Sequence, residues 1–419
     1  MKIAILGFGN IGTAFYAEIV RNYPDIEVTR ILLKDRYKKR EMPEGVKYPE
    51  KIITTEYSEI LNDKSIETVV DITAGPGSLD YLKRALEAGK NAVTANKLAV
   101  SEKGLEFLNI AREKKVNFYF EACVGGGIPV INLFNENIKI HRINKVAGIV
   151  NGTTNYILTQ MADNDMEFSD ALKLAQEKGF AEPDPTFDIS GRDSAYKISI
   201  LKDLLFNAEI SANNIFCQGI EKIGKIDLEY ARSIKYQIKL IGYIESTPEG
   251  IDIGVRPVFL HGDHPLAQVK NEFNAIFIEG SPIGEVMLFG RGAGQGPTTA
   301  SLISDVLRIK RNPDGPFNDA YGKNGVKTDL IPESQKTQSN YFRFKVTDVP
   351  GVITKITALF EKYQISISSM KQEVSHEKMP VDIIFTTHVT KTQFIPEMLQ
   401  KIRDFDFVIA EPIWYKIDL

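Results

Sequence analysis

KIAIL at residues 2–6, followed directly by GFGNIG at residues 7–12, is the stretch that decides the fold of this chain. The first run predicts a short buried strand. Residues 13–23 predict a helix, because apolar side chains recur every four positions from residue 11 onward. A GxGxxG motif between a strand and a helix is typical of dinucleotide sites: its glycines permit a tight turn, close approach to a pyrophosphate and close helix–strand packing. The chain is therefore expected to begin with a nucleotide-binding domain.

The pattern continues as alternating strands and helices. Strands are predicted near 28–33, 66–72, 91–97 and 116–122, with helices near 78–88 and 101–113. Such alternation predicts a doubly wound α/β sheet, whose ligands bind at the carboxyl ends of the strands. Thr73 and Lys97 follow two of these strands. A lysine there is ordinarily a surface residue, but its position at the cofactor edge favours a functional role.

The residues after the second strand bear on the choice of dinucleotide. Asp35 alone would suit the ribose hydroxyls of NAD, whereas a basic cluster suits the 2′-phosphate of NADP. The cluster consists of Lys34, Arg36, Lys38, Lys39 and Arg40. A solvated surface loop explains any one of these residues equally well. NADP is favoured over NAD on this pattern, with either cofactor left open.

Composition limits the class of protein. The 419 residues predict two to four domains. Lys plus Arg number 51 against 55 Asp plus Glu, a net charge of -4, which argues against a nucleic-acid partner held by bulk charge. No apolar run approaches the ~20 residues of a membrane span, and the N-terminus begins with a strand rather than a signal peptide. The two cysteines exclude a disulfide framework and favour a reducing, cytoplasmic location.

The central region carries two further clusters. In EACVGGGIP, residues 121–129, three consecutive glycines leave carbonyl oxygens that, with Glu121, could bind a monovalent cation; an interdomain hinge explains them equally well. Asp193 and Lys197 lie four residues apart on one helix face, which by itself indicates only a surface salt bridge. Because that helix is otherwise apolar, we expect a cleft in which they join Glu182 and Asp188. A carboxylate-rich pocket with lysine suits a small substrate that carries an ammonium group and a reducible carbonyl.

The C-terminal part reads as a separate module. A helix over 297–311 is expected to pack back on the nucleotide domain. Residues 313–339 are rich in Pro, Gly, Asn, Asp, Lys and Ser and predict a linker. Residues 340–419 then show the order βαββαβ, with the last strand near 408–415, which is ferredoxin-like.

Several motifs, in this order, resemble those of the homoserine dehydrogenase family. They cover about residues 1–312 and read GFGNIG, TANK, EACVGGGIP, NGTTNYIL, EPDPTFDISGRDSAYK, DHPLA and GRGAGQGPTTA. The strand–DVPG–helix opening and ISISSM in residues 340–419 resemble an ACT domain. The resemblance implies reversible, NAD(P)-dependent reduction of L-aspartate 4-semialdehyde to L-homoserine, on the branch toward threonine, methionine and isoleucine. It also implies a homodimer or homotetramer and an ACT domain that binds an amino-acid effector, threonine being the logical one, or serves only in dimerisation.

The same resemblance implies an α/β organisation in three domains. These are a Rossmann-type nucleotide domain over 1–128 to which 290–312 return, an α+β catalytic and dimerisation domain over 129–289, and, after the 313–339 linker, a ferredoxin-like ACT domain over 340–419.

Residue roles follow from the resemblance position by position. Lys197 matches the proton donor, with Lys97 as a second electrostatic partner between cofactor and substrate. The substrate-binding positions are Glu182, Asp188 and Asp193. The cofactor-binding positions are Gly7, Phe8, Gly9, Asn10, Ile11, Gly12, Thr73, Lys97 and Gly292. A sodium site matches Glu121 with the carbonyls of Val124, Gly126 and Ile128.

Two other functions compete with this one. The chain could be another small-carbonyl reductase with an ACT tail, or a non-catalytic amino-acid sensor on a dehydrogenase scaffold. The stretch from EPDPTFD to Lys197 argues against the first. The intact glycine loop and both candidate lysines argue against the second.

Overall fold

The computed structural model describes residues 1–38, 40–137, 142–206, 210–312, 329–372 and 380–418. They belong to two compact units. The first consists of Met1–Gly152, Asp193–Ile215 and Glu272–Thr328, and the second of Thr153–Arg192, Phe216–Asn271 and Asp329–Leu419. The division groups the chain differently from the three domains expected above, whose boundaries stay a prediction.

The strands are, in chain order, β1 Lys2–Leu6, β2 Glu27–Leu32, β3 Ile53–Thr54, β4 Thr68–Asp71, β5 Asn91–Thr94, β6 Phe118–Tyr119, β7 Arg142–Ile149, β8 Phe216–Cys217, β9 Tyr236–Thr247, β10 Gly250–His261, β11 Phe273–Ser281, β12 Gly284–Arg291, β13 Thr337–Thr347, β14 Ile367–Gln372, β15 Pro380–Thr387, β16 Thr390–Lys391 and β17 Ile413–Ile417. The α-helices are α1 Asn10–Asn22, α2 Tyr57–Asn62, α3 Gly77–Glu87, α4 Lys97–Lys114, α5 Val130–Asn137, α6 Gly152–Asn164, α7 Phe168–Glu177, α8 Thr186–Ile189, α9 Arg192–Phe206, α10 Lys225–Ser233, α11 Gln295–Arg311, α12 Val352–Lys362 and α13 Ile395–Arg403.

The first unit contains a parallel sheet of strand order β3-β2-β1-β4-β5-β6. The adjacent strands pair in parallel. This is the order of the doubly wound dinucleotide fold, so the predicted Rossmann-type domain is confirmed. Buried strands such as β1, in which residues 3–6 are fully buried, read as continuous apolar runs because helices cover both faces of a parallel sheet.

Two boundaries in this sheet differ from the expected ones. Lys97 does not end a strand but begins α4, because the Asn96 side chain caps that helix by accepting from the Ala99 backbone N–H at 3.1 Å. The strand expected over 116–122 shortens to β6, because the Glu121 N–H donates to the Asp305 carboxylate at 2.9 Å instead of continuing the ladder.

The first unit contains further helices and strands besides the parallel sheet. Helix α11 packs against α1. An antiparallel set of order β12-β11-β7 follows the glycine-rich central segment. Helix α9 is largely buried, which agrees with its apolar sequence.

The second unit contains the antiparallel pair β9-β10 and the C-terminal module. In the module, β13, α12, β14, β15, α13 and β17 follow one another, and the strands are ordered β17-β13-β15-β14. This confirms the predicted ferredoxin-like module. Its core contains the aromatic residues Phe342, Phe344, Phe360 and Phe385.

The ends of the module differ from the prediction. Strand β13 begins at Thr337, inside the expected linker, because Thr337 and Gln338 pair with β16. Strand β17 begins only at Ile413, after Pro412, which cannot donate a ladder hydrogen bond. Residues 313–328 of the expected linker lie outside the described residues. Within the described part of the chain, no helix combines the length and apolar character of a membrane span.

Candidate active site

A cleft of about 670 Å³ lies at the carboxyl ends of β1, β2 and β4. It brings together the glycine loop, the end of the second strand and Thr73, as the sequence predicted for a dinucleotide site. Its lining includes Gly7, Phe8, Gly9, Asn10, Lys34, Asp35, Lys38, Arg40, Thr73 and Ala74.

The three loop glycines have distinct steric roles. At Gly7, where φ is +90°, a Cβ would lie 2.8 Å from the Ile72 carbonyl oxygen, and at Gly12 a Cβ would lie 2.6 Å from the Gly7 oxygen. A Cβ at Gly9 would meet nothing within 4 Å. Gly7 and Gly12 therefore serve the packing, while Gly9 faces open space at the start of α1, where a helix N-terminus favours phosphate. These residues fit a dinucleotide pyrophosphate.

The segment after β2 lines the cleft with both Asp35 and the basic residues Lys34, Lys38 and Arg40. The Asp35 carboxylate accepts from the Tyr37 N–H at 2.8 Å, and the Arg40 guanidinium donates to the backbone oxygens of Asp35 at 3.1 Å and Lys38 at 2.6 Å. Lys39 lies outside the described residues. Both predicted recognition elements therefore line the same cleft.

Asp193 is the centre of a buried cluster in the first unit. One carboxylate oxygen, Oδ2, accepts from Lys197 Nζ at 2.7 Å and from Asn151 Nδ2 at 2.8 Å. The other, Oδ1, pairs with Lys97 Nζ. Lys197 Nζ also donates to the Val150 carbonyl at 2.6 Å. The structure thus joins both predicted lysines, from α4 and α9, through one carboxylate.

The electrostatics of this cluster are strong because Asp193 is buried. Burial alone raises the pKa of a carboxyl, but the charges and hydrogen bonds of Lys197 and Lys97 outweigh burial and hold the pKa of Asp193 below its ordinary value. Asp193 is therefore ionised at neutral pH. The Lys197 side chain is 11% exposed and that of Lys97 is 38% exposed. A charged group at such a site can stabilise an oxygen that gains negative charge.

Three polar residues of this region were not singled out from the sequence. Asn151 binds Asp193, whereas Asp71 and Asn96 hold the ends of β4, β5 and α4. The available signal was position, because Asp71 is the last residue of β4, and Asn96 and Asn151 each lie two residues after a strand, β5 and β7 respectively.

The predicted sodium ligand Glu121 caps a helix. Its carboxylate accepts from the N–H groups of Ile131 at 2.9 Å and Asn132 at 2.7 Å, in the first turns of α5. Burial raises the pKa of Glu121 to about 7, although these backbone donors lower it in part. The carboxylate oxygens are therefore already engaged by the protein.

Two of the three predicted carbonyl ligands also accept hydrogen bonds within the protein. The Gly126 carbonyl accepts from Ser301 Oγ at 2.6 Å, and the Ile128 carbonyl accepts from the Val130 N–H at 2.8 Å, while Val124 is buried. Carbonyl and carboxylate oxygens have further lone pairs, so the set still fits a cation. Among the residues described, no group of three His, Cys, Asp or Glu side chains could hold a metal ion. Sodium binding stays a prediction.

The loop that contains Gly292 packs on the glycine run. The Gly127 N–H donates to the Arg291 carbonyl at 3.2 Å, and a Cβ at Gly126 would lie 2.5 Å from the Gly292 carbonyl carbon. Three residues further on, Gln295 Nε2 donates to the Asn10 carbonyl at 2.7 Å. The segment that follows Gly292 therefore reaches the glycine loop of the cleft, whereas Gly292 itself does not line the cleft, and its role in cofactor binding stays a prediction.

Glu182 and Asp188 belong to the second unit. Glu182 is exposed, and its backbone carbonyl accepts from Gln176 Nε2 at 3.2 Å. Asp188 lies in the short helix α8 and is half-buried. Their assignment to the substrate stays a prediction.

A Rossmann-type cleft and a lysine–carboxylate cluster, both in the first unit, define a nicotinamide-dinucleotide-dependent oxidoreductase. Comparison with known proteins narrows this class. The homoserine dehydrogenase NAD-binding domain model matches residues 7–121, the homoserine dehydrogenase model matches 129–307, and the ACT domain model matches 341–407.

Individual relatives match most or all of the chain. Homoserine dehydrogenase of Bacillus subtilis is 32% identical over 431 residues, covering 100% of this chain and 98% of the relative. The structure of a homoserine dehydrogenase from Thiobacillus denitrificans superposes with a TM-score of 0.88 at 30% identity, covering 100% of this chain and 98% of that one. A hyperthermophilic archaeal homoserine dehydrogenase in complex with NADPH gives 0.63 at 25% identity, over 74% of this chain and 97% of that one. The chain belongs to the homoserine dehydrogenase family and carries a C-terminal ACT domain.

Proposed function

We propose that this chain catalyses the reversible reduction of L-aspartate 4-semialdehyde to L-homoserine with NAD(P)H, on the route to threonine, methionine and isoleucine. The observation that carries the proposal is the Asp193 carboxylate shared by Lys97 and Lys197. When bound, the dinucleotide supplies the hydride that reduces the aldehyde carbon. The side chains of this chain orient the substrate and stabilise the negative charge that develops on its aldehyde oxygen.

Lys197 is the proposed proton donor. Its ammonium is fixed by the Val150 carbonyl and by Asp193, so its direction is set before substrate binds. Negative charge that develops on the aldehyde oxygen is stabilised by this ammonium, which then gives up a proton. Positioned acid catalysis of this kind is worth about 10²- to 10⁴-fold. Lys97 acts as the second positive group, on the side of the cofactor.

Glu182 is the proposed partner of the substrate amino group, and Asp188 is proposed as a second acidic residue that binds the substrate. For Asp193 the geometry supports a role in holding the two lysines rather than in direct substrate binding. Both of its oxygens hold lysines, so we infer that it keeps the two ammonium groups charged and in place.

NADP(H) is the preferred cofactor in this proposal. Lys34, Lys38 and Arg40 line the cleft, and a related archaeal enzyme forms an NADPH complex. We expect Lys38→Ala to raise KM for NADPH about tenfold and leave KM for NADH unchanged. The exposed Lys64→Ala is the matched control. Equal effects on both cofactors would contradict a role in 2′-phosphate recognition.

The remaining properties are proposed from the family. Sodium is proposed to bind at Glu121. Enzyme activity measured in sodium chloride and in tetramethylammonium chloride tests this proposal, and equal activity in the two salts would reject it. Threonine binds the ACT domain and regulates the enzyme; absence of heat in calorimetric titration and of any effect on activity would reject this. A homodimer or homotetramer is expected in light scattering. The free thiols Cys123 and Cys217 support a reducing, cytoplasmic location.

A spectrophotometric assay with the semialdehyde, run in parallel with NADPH and NADH, tests activity and cofactor choice together. Lys197→Ala should lower kcat at least a hundredfold, and Lys97→Ala should raise substrate KM and lower kcat less. Lys103→Ala, an exposed lysine on α4, should behave as wild type. Near-normal turnover of Lys197→Ala would refute the assignment, while threonine binding without any turnover would favour an amino-acid sensor.

A further inference from the structure

Asn96 connects two segments of the first unit that the proposed reaction needs. Its side-chain oxygen accepts from the Ala99 N–H at 3.1 Å and so caps α4, the helix that begins with Lys97. Its amide nitrogen donates to the carbonyls of Thr73 at 3.2 Å and Gly75 at 3.0 Å. One buried side chain thus holds both the start of the lysine-bearing helix and the loop of residues 73–75, here termed the cofactor loop.

Asp71 binds the same cofactor loop at Thr73, together with the end of β5 at Thr94 and the first turn of α3 at Ser78. Oδ1 accepts from the Thr73 N–H at 3.1 Å and from Thr73 Oγ1 at 2.5 Å, and Oδ2 accepts from Thr94 Oγ1 at 2.7 Å and from Ser78 Oγ. Thr94 Oγ1 in turn accepts from the Asn96 N–H at 3.0 Å. The bonds form a closed ring through Asp71, Thr73, Asn96 and Thr94.

Three of the four members of the ring are buried, and the fourth, Thr73, is half-buried at the cleft, so most of these hydrogen bonds are shielded from water. Asp71 and Thr94 are fully buried, and Asn96 is 7% exposed. Loss of the Asn96 amide removes two hydrogen bonds from the cofactor loop, at the carbonyls of the half-buried residues Thr73 and Gly75. Thr73 lines the cleft, so a shift of the cofactor loop changes the dinucleotide site directly.

We propose that Asn96 is a positioning residue that fixes the cofactor loop relative to the Lys97 amine. The inference rests on the proposed function for its effect on turnover. Its effect on dinucleotide binding stands without turnover. In this arrangement the dinucleotide and Lys97 are placed by one side chain, so a substitution there changes both affinity and rate.

Asn96→Asp separates positioning from capping. The carboxylate still accepts from Ala99 and caps α4, but both amide donors are lost and an oxygen faces the carbonyls of the cofactor loop. We expect the Kd for NADPH, from fluorescence titration, to rise about tenfold, and kcat to fall about tenfold. Asn96→Ser, a shorter cap without an amide, serves if Asn96→Asp does not fold.

Asn91→Asp is the matched control, at the opposite end of β5. There the Asn91 amide donates to the Glu67 carbonyl at 3.1 Å, and its oxygen accepts from the Asn117 N–H at 2.8 Å. The same chemical change should therefore leave NADPH affinity and kcat at wild-type values.

Wild-type Kd and kcat in a folded Asn96→Asp protein would overturn the proposal, as would an equal loss of NADPH affinity in Asn91→Asp. A wild-type chain that binds NADPH but does not reduce the semialdehyde would refute the proposed function, while the comparison of Kd values would still decide the role of Asn96. A wild-type chain that binds neither NADPH nor NADH would overturn both.

Discussion

Replacement of Asp193 by asparagine removes the negative charge on which Lys97 and Lys197 converge. Lys197 is nearly buried, and breaking a buried ion pair by removing one partner costs about 3–5 kcal/mol. Lys97 is more than a third exposed, so solvent screens its share to less than about 1 kcal/mol. Asparagine keeps one oxygen that can accept from Lys197. We therefore expect Asp193→Asn to lower the free energy of unfolding by about 3 kcal/mol at pH 7.

The loss of unfolding free energy in Asp193→Asn should become smaller as pH falls. The folded protein holds the pKa of Asp193 below its ordinary value of about 3.9, so the unfolded chain binds the proton first as pH falls. The contribution of Asp193 is therefore fully present above that ordinary value and is lost at lower pH, as pH approaches the lowered pKa of the folded state. The difference between wild type and Asp193→Asn should shrink below about pH 4.

Hydrogen exchange by mass spectrometry on the amides of α9 is the appropriate assay, because it reports opening of the helix that carries Asp193. The single tryptophan, Trp414, lies in the second unit and does not report this region. Asp80→Asn, an exposed carboxylate on α3, is the control and should change stability by less than about 1 kcal/mol. Unchanged exchange in Asp193→Asn at pH 7 would refute the reasoning, as would a difference between the two proteins that does not begin to shrink between pH 4 and pH 3.

Three further predictions follow from other contacts. Gly12→Ala should abolish NADPH binding and destabilise the protein, because its methyl group meets the Gly7 backbone, whereas Gly9→Ala should fold normally but bind NADPH at least tenfold more weakly. Burial lowers the pKa of Lys239 to about 8, so between pH 8 and its ordinary pKa near 10.5 the unfolded chain binds more protons. The free energy of unfolding should therefore rise by up to about 3 kcal/mol over that pH range, and Lys239→Met should remove this pH dependence. Asp227, which is fully buried and pairs with Arg343, should cost about 3 kcal/mol when replaced by asparagine, measured by Trp414 fluorescence in urea.

Each of these has a contradicting result. Equal thermal stability of the two glycine variants would show that the Gly7 turn tolerates the methyl group. An identical pH slope in wild type and Lys239→Met would assign the slope to other groups. A wild-type urea midpoint in Asp227→Asn would show that the Arg343 ion pair contributes nothing net.

Much of the fold could be predicted because its determinants are local in sequence. The GxGxxG turn depends on steric contacts between neighbouring segments, and the alternation of apolar runs reports strands and helices directly. Boundaries were less predictable where distant side chains intervene. Lys97 was predicted at the end of a strand but begins α4, because Asn96 caps that helix. The sixth strand is shorter than predicted, because the Glu121 N–H donates to Asp305 on α11.

The sequence by itself determined the Rossmann-type sheet, the ferredoxin-like module and the identity of the two lysines as candidates. Only the tertiary structure decided that Lys97 and Asp193, 96 residues apart, meet in one buried cluster with Lys197. It also decided that Asn96 binds the loop of residues 73–75 to the start of α4, and that Asp71 binds that loop to the end of β5. The physical reason is the separation of the interacting residues along the chain. Helices and strands are determined largely by residues close in sequence, whereas these ion pairs and buried hydrogen bonds depend on which distant segments the folded protein places side by side.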